Sequence, residues 1–488
     1  MDKPPEMFDR DFEWSELSRF ALHEGPGATL GVVSGRRRQG KTYLLDALAH
    51  ATDGFMFTAT ETTEADALRQ FGVALATYVG EPTPFRFTGW DEAISRLMRI
   101  ESGRPTTTVI DEFPFLARTS PALPSVIQRA LDPTAQRSNA PIRLLLCGSA
   151  LSFMGSLLAG NAPLRGRAGL ELVVPTLDFR LAAQFWGIDD AHTAVLTNAI
   201  VGGTPAYRRE FVQDDVPAGP EDFDSWVVRA VLNPARPLFR EARYLLAEEP
   251  DLRDTALYHS VLGAIADGNA TRGGIANYLA RRSTDLAHPL GVLEDIGMVT
   301  HELDAFRRNR STYRIAEPLI TFYHAVMRPV WGDLERPSRA PAMWERAKRV
   351  FLARVVGPHF ERLCREWVRW HASPETCGGF VTRVASGTVN DPPARSSHEV
   401  DVAAFGRNSE GGEVLLAIGE AKWHEVMGVE HVRRLEHIRD LLRTRAEAVD
   451  AVRLLCFGGN GFTDELRRRA VSDESVQLVD VSRLYRGE

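Results

Sequence analysis

Lysine is nearly missing from this chain. Lysines and arginines together number 58 in 488 residues, yet lysine stands only at Lys3, Lys41, Lys348 and Lys422. A compact ammonium and a planar guanidinium fork are not interchangeable, so a lysine kept against such a bias marks a place where a point charge is wanted. Cysteine is also scarce. Cys147, Cys364, Cys377 and Cys456 are scattered without CxxC spacing, a pattern that suggests neither a disulfide framework nor a cysteine zinc site and fits a reducing cytoplasm. No apolar run is long enough to cross a bilayer, and the start has no signal-peptide pattern, so a cytoplasmic protein with no membrane partner is expected. An excess of positive charge is lacking too: the net charge is -7, so any nucleic-acid binding must come from local basic patches. The hydrophobic content of 44% and charged content of 25% are those of an ordinary globular protein. The length predicts about two to four domains.

The most informative stretch is Gly35-Arg36-Arg37-Arg38-Gln39-Gly40-Lys41-Thr42. It follows the apolar run Leu30-Gly31-Val32-Val33 and opens the helical pattern Tyr43 to Leu48, giving a strand, a glycine-bounded loop and a helix. Loop N–H groups and the positive end of a helix hold phosphate when the chain folds back tightly. Gly35 and Gly40 permit that turn, Lys41 would reach the β- and γ-phosphates, and the Thr42 hydroxyl would complete the coordination of magnesium. The expected nucleotide set is Gly35, Arg38, Gln39, Gly40, Lys41, Thr42 and Tyr43. Ahead of the loop, Phe8-Asp9-Arg10 and the helical pattern Phe12, Leu17, Phe20, Ala21 and Leu22 form either a segment over the adenine or a simple lead-in helix.

Further along, the buried-type strand Thr106-Thr107-Thr108-Val109-Ile110 ends in Asp111-Glu112. Parallel sheets present ligands at the carboxyl ends of their strands. Asp111 would therefore hold the magnesium and Glu112 would polarise the attacking water. The strand Ile142 to Gly148 ends at Ser149, which suits a γ-phosphate sensor or a helix N-cap. In Leu164-Arg165-Gly166-Arg167, between the following helix and the next strand, Arg167 is favoured over Arg165 as a finger to a neighbouring subunit's nucleotide; a solvated loop arginine is the alternative.

Together with Cys147-Gly148-Ser149, Leu164-Arg165-Gly166-Arg167 and Gly202-Gly203-Thr204-Pro205-Ala206-Tyr207, these motifs resemble the archaeal-type ATPase family of the AAA+/STAND P-loop group over residues 8 to 330. The resemblance implies an ATP- and Mg2+-binding α/β core over 1–180, a helical lid over 181–245 that contains the Gly-Gly-x-Pro segment, a winged helix over 250–330, and a homo-oligomer.

The winged helix is also legible in the residues. Leu257, Val261, Leu262 and Ile265 have helical spacing, Asp267-Gly268-Asn269 breaks it, and Ile275, Ala276 and Leu279 make a second helix. A third runs through Leu290, Leu293 and Ile296, with His288-Pro289 disturbing its start. A hairpin from Val299 to Ile315 would carry Arg307, Arg308 and Arg310 at its tip, suited to DNA phosphates. The alternative is an interdomain or protein-sensing module.

From about 345 a long amphipathic helix is expected, broken at Gly357-Pro358. Two strands follow, His398 to Phe405 and Glu413 to Lys422, around the turn Ser409-Glu410-Gly411-Gly412. If Asn408 faces Glu413, outward counting sets Asp401 opposite Glu420. Opposed β carbons lie about 4.5–5.5 Å apart and like charges there repel, unless a divalent cation sits between them. Lys422 shares the face of Glu420. Two carboxylates and a lysine form a magnesium-dependent phosphodiesterase constellation. Asp401…Glu420-x-Lys422, with Glu361 on the preceding helix, resembles the PD-(D/E)xK restriction-endonuclease-like nucleases over 345–488, although no proline introduces Asp401. The helix through Val429, Val432, Leu435, Ile438, Leu441 and Leu442 should pack on that sheet. The expected molecule is thus a multidomain α/β ATPase coupled to DNA binding and cleavage. A STAND-like signalling switch and a DNA-binding regulator that does not cut are the competing expectations.

Overall fold

The computed structural model describes residues 1–25, 27–100, 105–132, 142–247, 255–307, 309–443 and 451–487. They divide into two compact units, Met1–Thr176 and Leu177–Glu488.

The first unit is built on a parallel sheet. Its strands are β1 Thr29–Ser34, β2 Phe55–Thr58, β3 Thr106–Asp111, β4 Ile142–Gly148 and β5 Ala168–Val173, in the order β2-β3-β4-β1-β5. Every residue of β3 and β4 is buried, as a parallel sheet covered on both faces requires. Alternation sorts the side chains. Leu30, Val32, Leu144 and Leu146 join a core with Phe71, Trp90 and Ile94 on one face. Val33, Leu145 and Cys147 meet Trp14, Leu17, Leu44 and Leu48 on the other. The helix Asp11–Ala21 turns Trp14, Leu17 and Phe20 inward, whereas Phe12 is 69% exposed. Phe12 lies two helical positions from Trp14 and so on the opposite face. Arg143 is the one fully buried charge of β4, and its guanidinium donates to the carbonyls of His23, Gly25 and Gly27 at 2.9, 2.8 and 2.7 Å.

The second unit begins as an all-helical stretch containing Phe179–Trp186, Ala191–Val201, Pro220–Trp226 and Pro237–Ala247. The Gly202-Gly203 turn has a steric cause. A β carbon on Gly203 would lie 1.8 Å from the Leu177 carbonyl oxygen, while the Leu177 N–H donates to the Gly203 carbonyl at 3.0 Å. Next come helices Thr255–Ala266, Arg272–Tyr278 and Ala287–Asp295, then the antiparallel pair β6 Val299–Leu303 and β7 Ser311–Ile315. Pro289 lies in the first turn of its helix, where a missing N–H costs nothing.

The expected break at Gly357-Pro358 does not occur. Ala340–Val350 runs through a π-helical turn, Phe351–Val356, directly into Gly357–Trp370. The wider turn reroutes the backbone bonds ahead of Pro358, which has no N–H to donate. The chain then forms β8 Arg383–Asp391, β9 Ser396–Arg407, β10 Glu413–Lys422, β11 Arg453–Gly458 and β12 Val476–Asp480, ordered β12-β11-β10-β9-β8. β8, β9 and β10 are antiparallel, and β11 and β12 run parallel to β10. One face is covered by the helix Val429–Arg443 through Val432, Leu435, Ile438 and Leu442. The helix Gly357–Trp370 buries Phe360, Leu363, Cys364 and Trp367, with Trp367 edge-on to Phe457 at 6.1 Å. Among the described residues no helix is long and apolar enough to cross a membrane.

His324, 6% exposed, is held neutral in the second unit: burial first, then the neighbouring Arg328 charge, lowers its pKa to about 3. The unfolded chain, with a histidine pKa near 6.5, binds the extra proton below that pH, so stability falls as pH drops from about 6.5 toward 3. Urea unfolding at pH 7 and pH 5 should reveal a loss of about 2 kcal/mol from this residue. His324→Phe should reduce that pH dependence; an unchanged difference between the two pH values would contradict the assignment.

Candidate functional site

The P-loop joins β1 to the helix Lys41–Ala51. Gly35 has φ +152°, and a β carbon there would meet the Val174 carbonyl oxygen at 2.5 Å; Gly40 has φ +83°. Both positions need glycine, one for close approach and both for φ. Arg38 is a left-handed loop residue at φ 67°. Gln39 is 2% exposed, and Tyr43, in the first helical turn, is 49% exposed. Arg10, expected only as part of the segment ahead of the loop, holds the loop from outside: its guanidinium donates to Pro175 O at 2.8 Å and to Gln39 O at 3.4 Å. Nothing in the local pattern marks it, because both acceptors are backbone.

Lys41 is 6% exposed, and its ammonium donates to Arg36 O at 2.8 Å. Burial lowers its pKa against the pull of nearby Glu112 and Asp111. The Thr42 hydroxyl donates to Asp111 Oδ2 at 2.7 Å, although β4 lies between their strands. Asp111 is 1% exposed, and its other oxygen accepts the Glu112 N–H at 2.9 Å. Glu112 sits at φ 51°, a strained position for a residue with a side chain. Burial, then the Asp111 charge, raises its pKa. Ser149, just past β4, donates to Glu112 Oε2 at 3.4 Å. Lys41, Thr42, Asp111, Glu112 and Ser149 thus meet at the carboxyl edge of the sheet. Arg167 lies at the opposite edge, since Ala168 pairs with Leu30 whereas Val173 pairs with Ser34. Arg167 is thus a strand's length from the phosphate loop of its own chain, and both it and Arg165 are exposed.

In the second unit the hairpin register differs at its tip and agrees at its base. Glu413 pairs with Arg407, not Asn408. Asn408 is instead drawn into the turn, its Oδ1 accepting the N–H groups of Glu410 and Gly412 at 3.1 and 2.8 Å. A register slip between Leu415 and Ala417 restores the count. Gly419 faces Val402, so one step further Asp401 stands opposite Glu420. A second slip, in the pairing of β9 with β8 between Ala385 and Gly387, falls opposite Asp401 and Val402. Such bulges re-aim side chains.

Around this pair the polar contacts are dense. Asp401 Oδ2 accepts the Ala421 N–H at 2.9 Å, and Arg365 donates to the Asp401 carbonyl at 3.0 Å. Glu420 is 3% exposed. Its Oε1 receives Lys422 Nζ at 3.0 Å and the Arg434 guanidinium, which also holds Glu399 O. Its Oε2 is buried with no hydrogen-bond partner, an arrangement that suits a cation. Burial, then the Asp401 charge, pushes Glu361 up to about 7. Asp401 is raised by burial, which its bond to Ala421 opposes. Burial would lower Lys422, but Glu420 outweighs it and the net shift is upward. The grip of Arg434 on Glu420 depends on how its helix seats against β10.

The hairpin of β6 and β7 is docked rather than solvated. Its Ala305 N–H donates to Ser386 O at 2.9 Å, and Asp304 Oδ1 accepts the N–H groups of Phe306 and Thr388 at 2.9 and 3.3 Å. This covers β8, the edge strand, which would otherwise expose a row of unpaired backbone groups. Arg307 donates to Asn390 on β8. Arg310 is half-buried, and Arg308 lies outside the described residues.

No family model matches the chain. It is 26% identical over 308 residues to the uncharacterized protein MJECL04 of Methanocaldococcus jannaschii, a match that covers 62% of this chain and 65% of that protein, just under two thirds of its length. Among solved structures it is similar to the Walker-type ATPase PABY2304 of Pyrococcus abyssi, with a TM-score of 0.48 and 17% identity, covering 66% of this chain and 97% of that one. It is also similar to the ORC2 protein of Aeropyrum pernix, with a TM-score of 0.38 and 16% identity over 72% of this chain and 97% of that one. These scores are low, so the nucleotide reading rests on the residues of the P-loop unit themselves.

Glu420 is the shared counter-ion of Lys422 and Arg434. Glu420→Gln should therefore lower stability by about 1–3 kcal/mol in urea unfolding with chelator present, because two partly buried cations lose their anion. An unchanged midpoint would show that the ion pairs contribute nothing.

Proposed function

We propose that this chain binds and hydrolyses ATP at the P-loop and uses the nucleotide state to control Mg2+-dependent cleavage of DNA by the C-terminal carboxylates. The observation that carries the first half is the Thr42–Asp111 hydrogen bond at 2.7 Å beside a buried Lys41. Those three groups supply a hydroxyl, a carboxylate and an ammonium at one point, the donor set of a magnesium–triphosphate site. Glu112, held by Ser149, stands ready to orient and deprotonate water. Magnesium there would neutralise charge on the phosphate oxygens.

Support for the second half comes from the buried, unpartnered Glu420 Oε2 opposite Asp401, with Glu361 and Lys422 close by. Asp401 and Glu420 would hold the cation and Lys422 would offset charge on the scissile phosphate. The order helix, three antiparallel strands, helix, parallel strand from Gly357 to Gly458 is consistent with the restriction-endonuclease-like reading. The second unit's all-helical stretch and its three helices with hairpin are read as the lid and winged helix.

A second reading is favoured by two specific contacts. Lys422 and Arg434 both already neutralise Glu420, which suits a nuclease-like domain that grips DNA or signals without cutting.

Purified protein should be incubated with single-stranded, duplex and branched DNA in Mg2+, with and without ATP. Lys41→Ala should abolish ATP binding, while Glu112→Gln should keep binding and lose about 10²–10⁴-fold in hydrolysis. Asp401→Asn should abolish cleavage, and Lys41→Ala should remove its response to ATP. ATP turnover with no cleavage of any substrate would select the signalling or regulatory reading.

If Arg167 serves a neighbouring subunit, hydrolysis per chain should rise with protein concentration. Mixing inactive Arg167→Ala with inactive Lys41→Ala should restore part of the activity, because hybrid interfaces pair an intact loop with an intact finger. Concentration-independent turnover would exclude a finger acting between subunits.

A further inference from the structure

A second cluster of ligand-type side chains lies in the C-terminal sheet, apart from the residues assigned above. Asp391 closes β8, His398 lies near the start of β9, and His437 projects from the helix Val429–Arg443. Asp391 Oδ2 is 2.8 Å from His437 Nε2 and 3.2 Å from His398 Nε2. One ligand atom from each of the three residues lies within 4.8 Å of the others, the one such His/Cys/Asp/Glu cluster among the described residues. The two imidazole rings stand edge to face, with centroids 5.2 Å apart and planes at 86°.

We infer that Asp391, His398 and His437 form a binding site for a transition-metal dication of the Zn2+ class. Zinc bonds nitrogen and carboxylate oxygen at about 2.0–2.2 Å in tetrahedral sites, so neighbouring ligand atoms sit roughly 3.3 Å apart. The two nitrogen–oxygen separations are already near that value. The donor set also sorts the ions: two imidazole nitrogens and one carboxylate suit zinc and its neighbours in the first transition row, whereas magnesium and calcium take oxygen ligands. Asp391 is 4% exposed, and its other oxygen accepts the Ala394 N–H at 3.1 Å. The carboxylate is therefore oriented from behind, as outer-shell bonds orient metal ligands. The His437 side chain is 51% exposed, so the fourth position opens to water.

The three ligands come from two strands and a helix. An ion among them would tie the β8–β9 hairpin to the helix whose Arg434 grips Glu420, one turn before His437. The role is that of a staple, and it does not depend on DNA cleavage.

The test uses the full chain made without a polyhistidine tag, stripped with chelator and dialysed, then titrated with Zn2+ and, separately, Co2+. About one ion per chain should remain bound, and Co2+ should develop the visible absorption of a tetrahedral site. His437→Gln, chosen because the side chain is half exposed, and Asp391→Asn should each weaken binding by more than the 10–100-fold cost of losing an outer-shell group. Circular dichroism should remain that of the parent. Glu420→Gln should keep both the ion and the spectrum. Equal stoichiometry and spectra in the parent and His437→Gln would overturn the site, as would loss of the ion in Glu420→Gln alone. A parent chain that retains no ion would leave the three residues as a hydrogen-bonded cluster and equally overturn it.

Discussion

The hydrogen bond from Thr42 to Asp111 spans an intervening strand, and the organisation of the first unit depends on what makes that reach possible. β1 and β3 are separated by β4, yet their carboxyl ends converge because all the strands run the same way and the loops after them fold over one edge. The same direction brings Ser149 to Glu112. Reversing any one strand would send its functional residue to the edge where Arg167 lies. The site is therefore a property of strand polarity before it is a property of side chains.

In the second unit the controlling constraint is burial of charge. Glu420 and Asp401 face each other inside a sheet covered by helices, where an unpaired carboxylate is costly. Lys422, Arg434 and the Ala421 N–H answer that cost. One carboxylate oxygen is left over. The hairpin of β6 and β7 answers a different constraint, the exposed edge of β8, and its tip residues are engaged in doing so.

Some of this was legible from local pattern. The glycine spacing of the P-loop, the buried strand ending in Asp111-Glu112, and the apolar periodicity of the helix Val429–Arg443 each depend on neighbours in sequence. The pairing of Asp401 with Glu420 was legible for a less secure reason. Counting outward from the turn began one residue off, and the slip at Leu416 compensated for it. β8 was missed because Arg383-Val-Ala-Ser-Gly-Thr-Val-Asn-Asp has no alternation of apolar and polar residues; it is held by a neighbour on each side. The continuity of the helix through Pro358 was missed because a π turn is not visible in side-chain spacing.

The sequence by itself determined where phosphate-binding chemistry is encoded, which strands are buried, and which lysines stand where an arginine would be expected. These are local matters, set by backbone freedom at glycine and by the periodicity of apolar side chains. Only the tertiary structure decided which distant groups share a charge or a proton. Arg10 meets Gln39 and Pro175, Arg143 meets the carbonyls of His23, Gly25 and Gly27, Arg434 meets Glu420, and His437 meets Asp391. In each of these contacts one partner, Arg10, Arg143, Glu420 or Asp391, is buried; burial removes water as its competing partner and leaves it the neighbours that the fold supplies.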